Sequence, residues 1–113
     1  MAIQMYHNPH CSKSRATLAL LAEQGIEPTI IEYLNDPPNE ATLKKIQAAL
    51  NCPVTDMVRK KESPYQENGL ESASEDELIA AIVQFPILLE RPIVVNGNRA
   101  AIGRPPENVL EIL

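Results

Sequence analysis

The sequence predicts a mixed α/β fold, a single small sheet with helices against it, on three observations. Short alternating apolar runs lie near both ends of the 113-residue chain. Apolar residues at helical spacing fill the stretch between them. A strand, a helix and a second strand succeed one another within residues 3–34. That spacing is the signature of a βαβ unit, whose strands run parallel through a right-handed crossover.

Ile3 to Tyr6 reads as the first strand, with Ile3 and Met5 on one face and Gln4 and Tyr6 on the other; Pro9 ends it. Ser12 to Gln24 reads as a helix with Leu18, Leu21 and Ala22 on one stripe and Gly25 as its stop. Thr29 to Leu34, β-branched and aromatic, is the second strand. Asn39 can cap a helix that carries Leu43, Ile46 and Leu50 on one side, and Met57 and Val58 suggest another short helix. Ser74 to Glu77 forms a capping box ahead of Leu78, Ile79, Ile82 and Val83. Ile93 to Val95 and Ala100 to Ile102 flank Asn96-Gly97-Asn98, whose Asn-Gly pair suits the positive φ angles of a tight hairpin turn. Pro105 and Pro106 open a last helix with Val109, Leu110 and Leu113 expected inward. This order is the pattern of a thioredoxin-like fold: a small mixed four-stranded sheet with a helical insertion, residues 1–113 making one domain.

Composition narrows the functional classes. Apolar residues at 44% and charged residues at 22% fit a globular chain. A net charge of −5 argues against a nucleic-acid or anionic-membrane partner, which needs a basic face. Two cysteines cannot make a disulfide framework, and no Cys/His cluster has metal-ligand spacing, so no metal is expected. Met1 to His10 has no basic stretch leading into an apolar run, and no segment approaches the length of a membrane span. The expected compartment is the reducing cytoplasm, where a single cysteine persists as a thiol.

Cys11 is the first candidate for chemistry. It stands where the first strand turns into the first helix, within Tyr6-His7-Asn8-Pro9-His10-Cys11-Ser12-Lys13-Ser14-Arg15. A helix N-terminus offers unpaired N–H groups and roughly half a positive charge, and both favour a thiolate, the nucleophilic form. The same N–H groups can cradle an anion. Lys13 and Arg15 add charge nearby. His7 and His10, the only histidines of the chain, lie within four residues, and a protonated imidazole would depress the thiol pKa further. Cys52, in Asn51-Cys52-Pro53, has no basic neighbour in sequence and reads as a bystander. Ser14 occupies the second cysteine position of a Cys-x-x-Cys motif, so a disulfide across that turn is impossible. If Cys11 is oxidised during turnover, the resolving thiol is expected from elsewhere, most simply glutathione or a glutaredoxin.

Tyr6-His7-Asn8-Pro9-x-Cys11-x-x-Ser14-Arg15 resembles the active-site turn of the glutaredoxin-dependent arsenate reductases. Further motifs agree in the family's order: Glu27-Pro28-Thr29-Ile30-Ile31 with Tyr33-Leu34 to Pro37-Pro38, then Val58-Arg59-Lys60-Lys61 with Pro64-Tyr65 and Gly69-Leu70, then Pro86-Ile87-Leu88, Arg91-Pro92-Ile93-Val94-Val95 and Gly103-Arg104-Pro105. The likeness covers essentially the whole chain, which is similar to the short members of that family.

The resemblance implies that Cys11 attacks arsenate, that His7 helps keep the thiol ionised, and that Arg59, Arg91 and Arg104 bind the oxyanion and its arsenic intermediates. It also implies a thioredoxin-like fold and a cis Arg91–Pro92 bond. Ser14 is expected to donate a hydrogen bond to the thiolate. Glutathione is the implied reducing co-substrate and a glutaredoxin the implied partner, with no bound cofactor. Elementary chemistry agrees with the arginines: a thiolate approaching an arsenate dianion meets repulsion, and guanidinium forks neutralise it while remaining charged. Arg91 and Arg104 each precede a proline at an element boundary, where sites tend to gather. Two rival readings use the same fold. One is a monothiol glutathione-dependent oxidoreductase, which needs Cys11 but not three arginines. The other is a redox-sensing transcriptional regulator, whose usual Cys-x-x-Cys switch Ser14 precludes.

Overall fold

The computed structural model describes residues 3–113. Four short strands form one sheet: β1 (Ile3–Tyr6), β2 (Thr29–Ile31), β3 (Ile93–Asn96) and β4 (Arg99–Ile102), in the order β2-β1-β3-β4. β1 and β2 are parallel; β1–β3 and β3–β4 are antiparallel. Four α-helices accompany them: α1 (Ser12–Glu23), α2 (Glu40–Leu50), α3 (Ser63–Glu67) and α4 (Glu75–Gln84). The arrangement is thioredoxin-like, with a mixed sheet and a helical insertion between β2 and β3.

Alternation along the strands builds two cores. Met5 and Val94 point to one face, where Leu21 of α1 meets Val109 and Ile112. Tyr6 and Ile93 point to the other, where the insertion supplies Leu43, Ile46, Met57, Leu78, Ile79, Ile82, Leu88 and Leu89. A period-2 strand thus serves two layers at once. Local signals set the helix starts. Asn39 accepts a hydrogen bond from the Thr42 N–H at 2.8 Å and caps α2. Ser74 and Glu77 make the reciprocal capping box of α4.

Several elements depart from their sequence pattern. β2 stops at Ile31 instead of reaching Leu34. Its only partner, β1, turns away after His7, so the strand has nothing left to pair with; the Asn35 and Asp36 N–H groups instead fold back onto the Glu32 carbonyl, both at 2.9 Å. Val58 does not extend a helix: residues 54–57 make a 3-10 turn and Val58 bridges to Leu89. Pro106–Ile112 is also a 3-10 helix. Its three-residue repeat lines up Val109 and Ile112 inward and leaves Leu110 and Leu113 exposed. Val83 faces out of α4 while Ala81 is buried, and Ala22 faces out of α1. α1 buries Ser14 and Thr17 ahead of Leu21, so its inner stripe is polar at the end that meets Cys11.

Gly103 marks where β4 closes against α1. A Cβ at this position would lie 2.5 Å from Thr17 Oγ1 and 2.8 Å from Pro92 Cγ, and Thr17 Oγ1 is already donating to the Lys13 carbonyl at 2.9 Å. Gly103→Ala is therefore expected to cost about 1–3 kcal/mol, the usual range for overpacking. A lower urea midpoint with an unchanged m-value checks this; an unaltered midpoint would show that Thr17 gives way freely.

Candidate active site

The sheet topology brings the candidate groups to one edge. β1 ends there and leads to Cys11. β2, parallel to β1, ends there and leads to Tyr33. β3, antiparallel to β1, starts there after Arg91–Pro92. β4, antiparallel to β3, ends there and leads to Gly103–Arg104. The Arg91–Pro92 peptide is cis, and so is Arg104–Pro105, which the sequence does not announce.

The turn carrying Cys11 is tightly tied. The His7 N–H donates to the Ile31 carbonyl at 2.9 Å, and the Cys11 N–H to the Asn8 carbonyl at 3.0 Å. The Asn8 side-chain oxygen accepts from the His10 N–H at 3.0 Å. Cys11 is the N-cap residue of α1, with extended backbone angles (φ −97°, ψ 124°), and its side chain makes no capping hydrogen bond. Its sulfur is half-buried. Burial alone would raise the thiol pKa. The Ser14 N–H, the Arg91 guanidinium and the Lys13 N–H outweigh it, and the thiol is held below its ordinary value. The helix terminus therefore acts as the sequence suggests, through backbone donors, but with a guanidinium beside it.

His7 plays a different part from the one the sequence suggests. Its Nδ1 lies 2.7 Å from Ser14 Oγ, and that hydroxyl also accepts from the Asn8 N–H at 3.0 Å. His7 and Ser14 are both buried. Burial pushes the imidazole pKa down, opposed by Glu32 and assisted by Arg15, which favours the neutral ring. The charge that lowers the Cys11 thiol comes from Arg91 and not from His7. Ser14 likewise serves the sulfur with its backbone N–H, its hydroxyl being engaged by His7 and Asn8. Arg15 donates to the Pro9 carbonyl at 2.9 Å, which braces the turn.

The three motif arginines are unequal. Arg91 stands at the thiol, and interaction with Cys11 helps raise its own pKa against the opposing pull of burial. Arg104 is exposed and donates to the Arg91 carbonyl at 3.4 Å. Arg59 is held by two carboxylates, Nε to Glu62 at 3.4 Å and Nη1 to Glu90 at 3.2 Å. Arg59 and Arg104 share a cleft of about 260 Å³ with Val58, Lys60, Lys61 and Glu90. Glu90, absent from the sequence reading, holds Arg59 together with Glu62. Its N–H donates to the Met57 carbonyl at 2.7 Å, next to the Val58–Leu89 bridge.

Tyr33 is the other residue that pattern reading passes over. Its side chain is fully buried two residues beyond β2. Its hydroxyl sits where Arg91, Asn8 and Arg59 all act on it, yet makes no hydrogen bond of sound geometry. Among the described residues, the buried side-chain polar atoms without a partner are this hydroxyl and the Nε and Nη1 of Arg91. Such atoms are rare in folded proteins, and here they are neighbours, Arg91 acting on Tyr33 on one side and on Cys11 on the other. Cys52, by contrast, has its thiol pushed up by burial and by Asp56 and Glu75, as befits an inert sulfur. No helix among the described residues is long and apolar enough to cross a membrane.

The chain is similar along its whole length to known proteins. Protein YfgD of Escherichia coli K12 is 49% identical over 98% of this chain and 96% of its own length. The arsenate reductase of Haemophilus influenzae is 48% identical over 100% of both chains. The solved structure of an arsenate reductase from Vibrio cholerae superposes with a TM-score of 0.97 at 50% identity, covering 100% of this chain and 98% of that one. The family model matches residues 6–112, a span that takes in the Cys11 turn, Tyr33 and all three arginines: the chain belongs to the ArsC family.

Proposed function

We propose that the protein is an arsenate reductase in which Cys11 is the nucleophile, glutathione the reducing co-substrate and a glutaredoxin the partner. The observation that carries this reading is the half-buried, acidified thiol beside a guanidinium whose Nε and Nη1 lack acceptors. An oxyanion supplies those acceptors and is the substrate such a thiolate could not otherwise approach.

The Cys11 sulfur bonds to arsenic(V), and one arsenate oxygen leaves as water after protonation. The sulfur of glutathione displaces a second oxygen in the same way. A glutaredoxin thiolate then attacks the glutathione sulfur. The arsenic–sulfur electron pair stays on arsenic, which becomes As(III), and the glutathione departs as a mixed disulfide with the glutaredoxin. Hydrolysis of the remaining Cys11–arsenic bond frees arsenite and restores the thiol. Arg91 offsets the negative charge of the entering arsenate, while Arg59 and Arg104 line the adjoining cleft.

Arsenite production from arsenate tests the reading. Turnover is expected with glutathione and glutaredoxin together and should fall at least about tenfold when glutaredoxin is left out, because a general thiol then has to resolve the mixed intermediate. Reduction of a small glutathione mixed disulfide with no arsenite formed would make the chain a monothiol oxidoreductase instead.

A further inference from the structure

We propose that the Tyr33 hydroxyl is a ligand of the bound oxyanion, completing with Arg91 Nε and Nη1 a three-donor seat beside the Cys11 sulfur. The proposal rests on the arsenate reading above and adds a substrate-binding residue to it. Three features converge. Tyr33 is fully buried in the larger apolar core, where a phenylalanine ring would pack as well and would leave no polar atom stranded. Its hydroxyl, although buried with the Arg91 and Asn8 side chains close by, makes no hydrogen bond of sound geometry, an arrangement that costs stability and that a compensating ligand would relieve. Its only unpartnered companions among the described residues are two donors of the same Arg91 that faces the thiol.

The chemistry of the missing ligand follows from that inventory. Arg91 can only donate, and a phenol can donate one proton. Burial, the largest influence on Tyr33, holds its ionisation above the ordinary range, so the proton is retained. A group that faces three donors must be rich in acceptors and negatively charged, which describes a tetrahedral oxyanion such as arsenate or phosphate. Its position is also consistent: Tyr33 and Arg91 come from strands on opposite sides of β1, so an anion held between them lies over the turn that β1 feeds, next to Cys11.

Protection of Cys11 from iodoacetamide by arsenate tests this without any turnover. Arsenate should slow alkylation of the wild-type protein. Tyr33→Phe should raise the half-protecting arsenate concentration by about tenfold, the effect of losing one hydrogen bond to a charged ligand. Protection is expressed relative to the unprotected rate of the same protein, and Tyr65→Phe, outside the site, should protect like wild type. Equal protection in wild type and Tyr33→Phe would overturn the role of Tyr33 alone. A wild-type protein that arsenate does not protect would overturn the oxyanion site and the role of Tyr33 with it. Should Tyr33→Phe fail to fold, 3-fluorotyrosine placed at all three tyrosines gives a second readout. The Tyr33 fluorine resonance, assigned with Tyr6→Phe and Tyr65→Phe, should move on adding arsenate, and an unmoved resonance under saturating arsenate would overturn the proposal.

Discussion

Cys11→Ser is expected to abolish arsenite production, by at least about a thousandfold, the scale on which loss of a nucleophile acts. The Ser14 and Lys13 N–H groups and the Arg91 guanidinium lower the pKa of a thiol enough to matter. They cannot bring an aliphatic hydroxyl, which ionises far higher, anywhere near neutral pH. The same substitution should not harm the fold. Cys11 occupies the N-cap of α1 without making a capping hydrogen bond, and serine is among the preferred N-cap residues. The variant should melt at the wild-type temperature or above it, with a gain of up to about 1 kcal/mol from the new cap. Loss of turnover with unchanged or raised stability separates the chemical role of the sulfur from any structural one. A variant that retained wild-type turnover would dismiss Cys11 as the nucleophile.

Arg91→Ala should have the next largest effect, for two linked reasons. It removes the guanidinium that helps hold the thiol down, and it removes two buried donors that lack acceptors, the ones proposed to bind the oxyanion. Turnover per unit arsenate is expected to fall about 100- to 1000-fold, as when preorganised donors to developing charge are deleted. The pH dependence of alkylation isolates the first reason. Only the thiolate reacts, so the rate rises with pH through the Cys11 pKa. In the wild type that midpoint should lie below ~8.5, the ordinary thiol value, and Arg91→Ala should move it up. The sign carries over to stability: a lowered thiol pKa favours the fold above the unfolded value and loses that contribution as pH falls through the folded value. Arg91→Lys should restore part of the acidity but little of the turnover, because an ammonium lacks the planar fork. His7→Gln should shift the alkylation midpoint less than Arg91→Ala, since burial favours the neutral His7 ring, which is bonded to Ser14 and not to the sulfur. A larger shift from His7→Gln would return the electrostatic role to the histidine.

The legible parts of the chain were those governed by neighbours in sequence. Asn39, the Ser74–Glu77 box and a cysteine at the head of a helix each act within a few residues, and each is where the pattern puts it; the hairpin turn falls one residue later than the Asn96-Gly97 pair, at Gly97-Asn98, because Asn96 still pairs with Arg99 and only Gly97 takes a positive φ. The family motifs picked out Arg91 beside the thiol. The illegible parts depend on what another element does. β2 stops early because β1 turns away, and the last helix tightens to a 3-10 repeat that turns Leu110 outward in favour of Ile112. His7 was legible as a residue near Cys11 but not as a partner of Ser14, because a ring seven residues from a hydroxyl reaches it only once the turn has closed. Glu90 reads in sequence as one acid among 15, and its hold on Arg59 exists only across 31 residues of folded chain. Tyr33 looked like one more aromatic of a strand until the strand ended before it.

The placement of Cys11, Tyr33, Arg91 and Arg104 at one edge of the sheet has a practical consequence at the other. The Asn96–Arg99 turn joins β3 to β4 at the far edge, three residue steps along β3 from Ile93, about 10 Å at the usual strand rise. Gly97 and Asn98 are exposed there. A fluorophore or a surface-attachment handle placed at Asn98 would leave the Cys11 mouth facing solution. The natural hairpin thus offers a site for immobilised assays or single-molecule labelling in which the reactive thiol itself need not be touched.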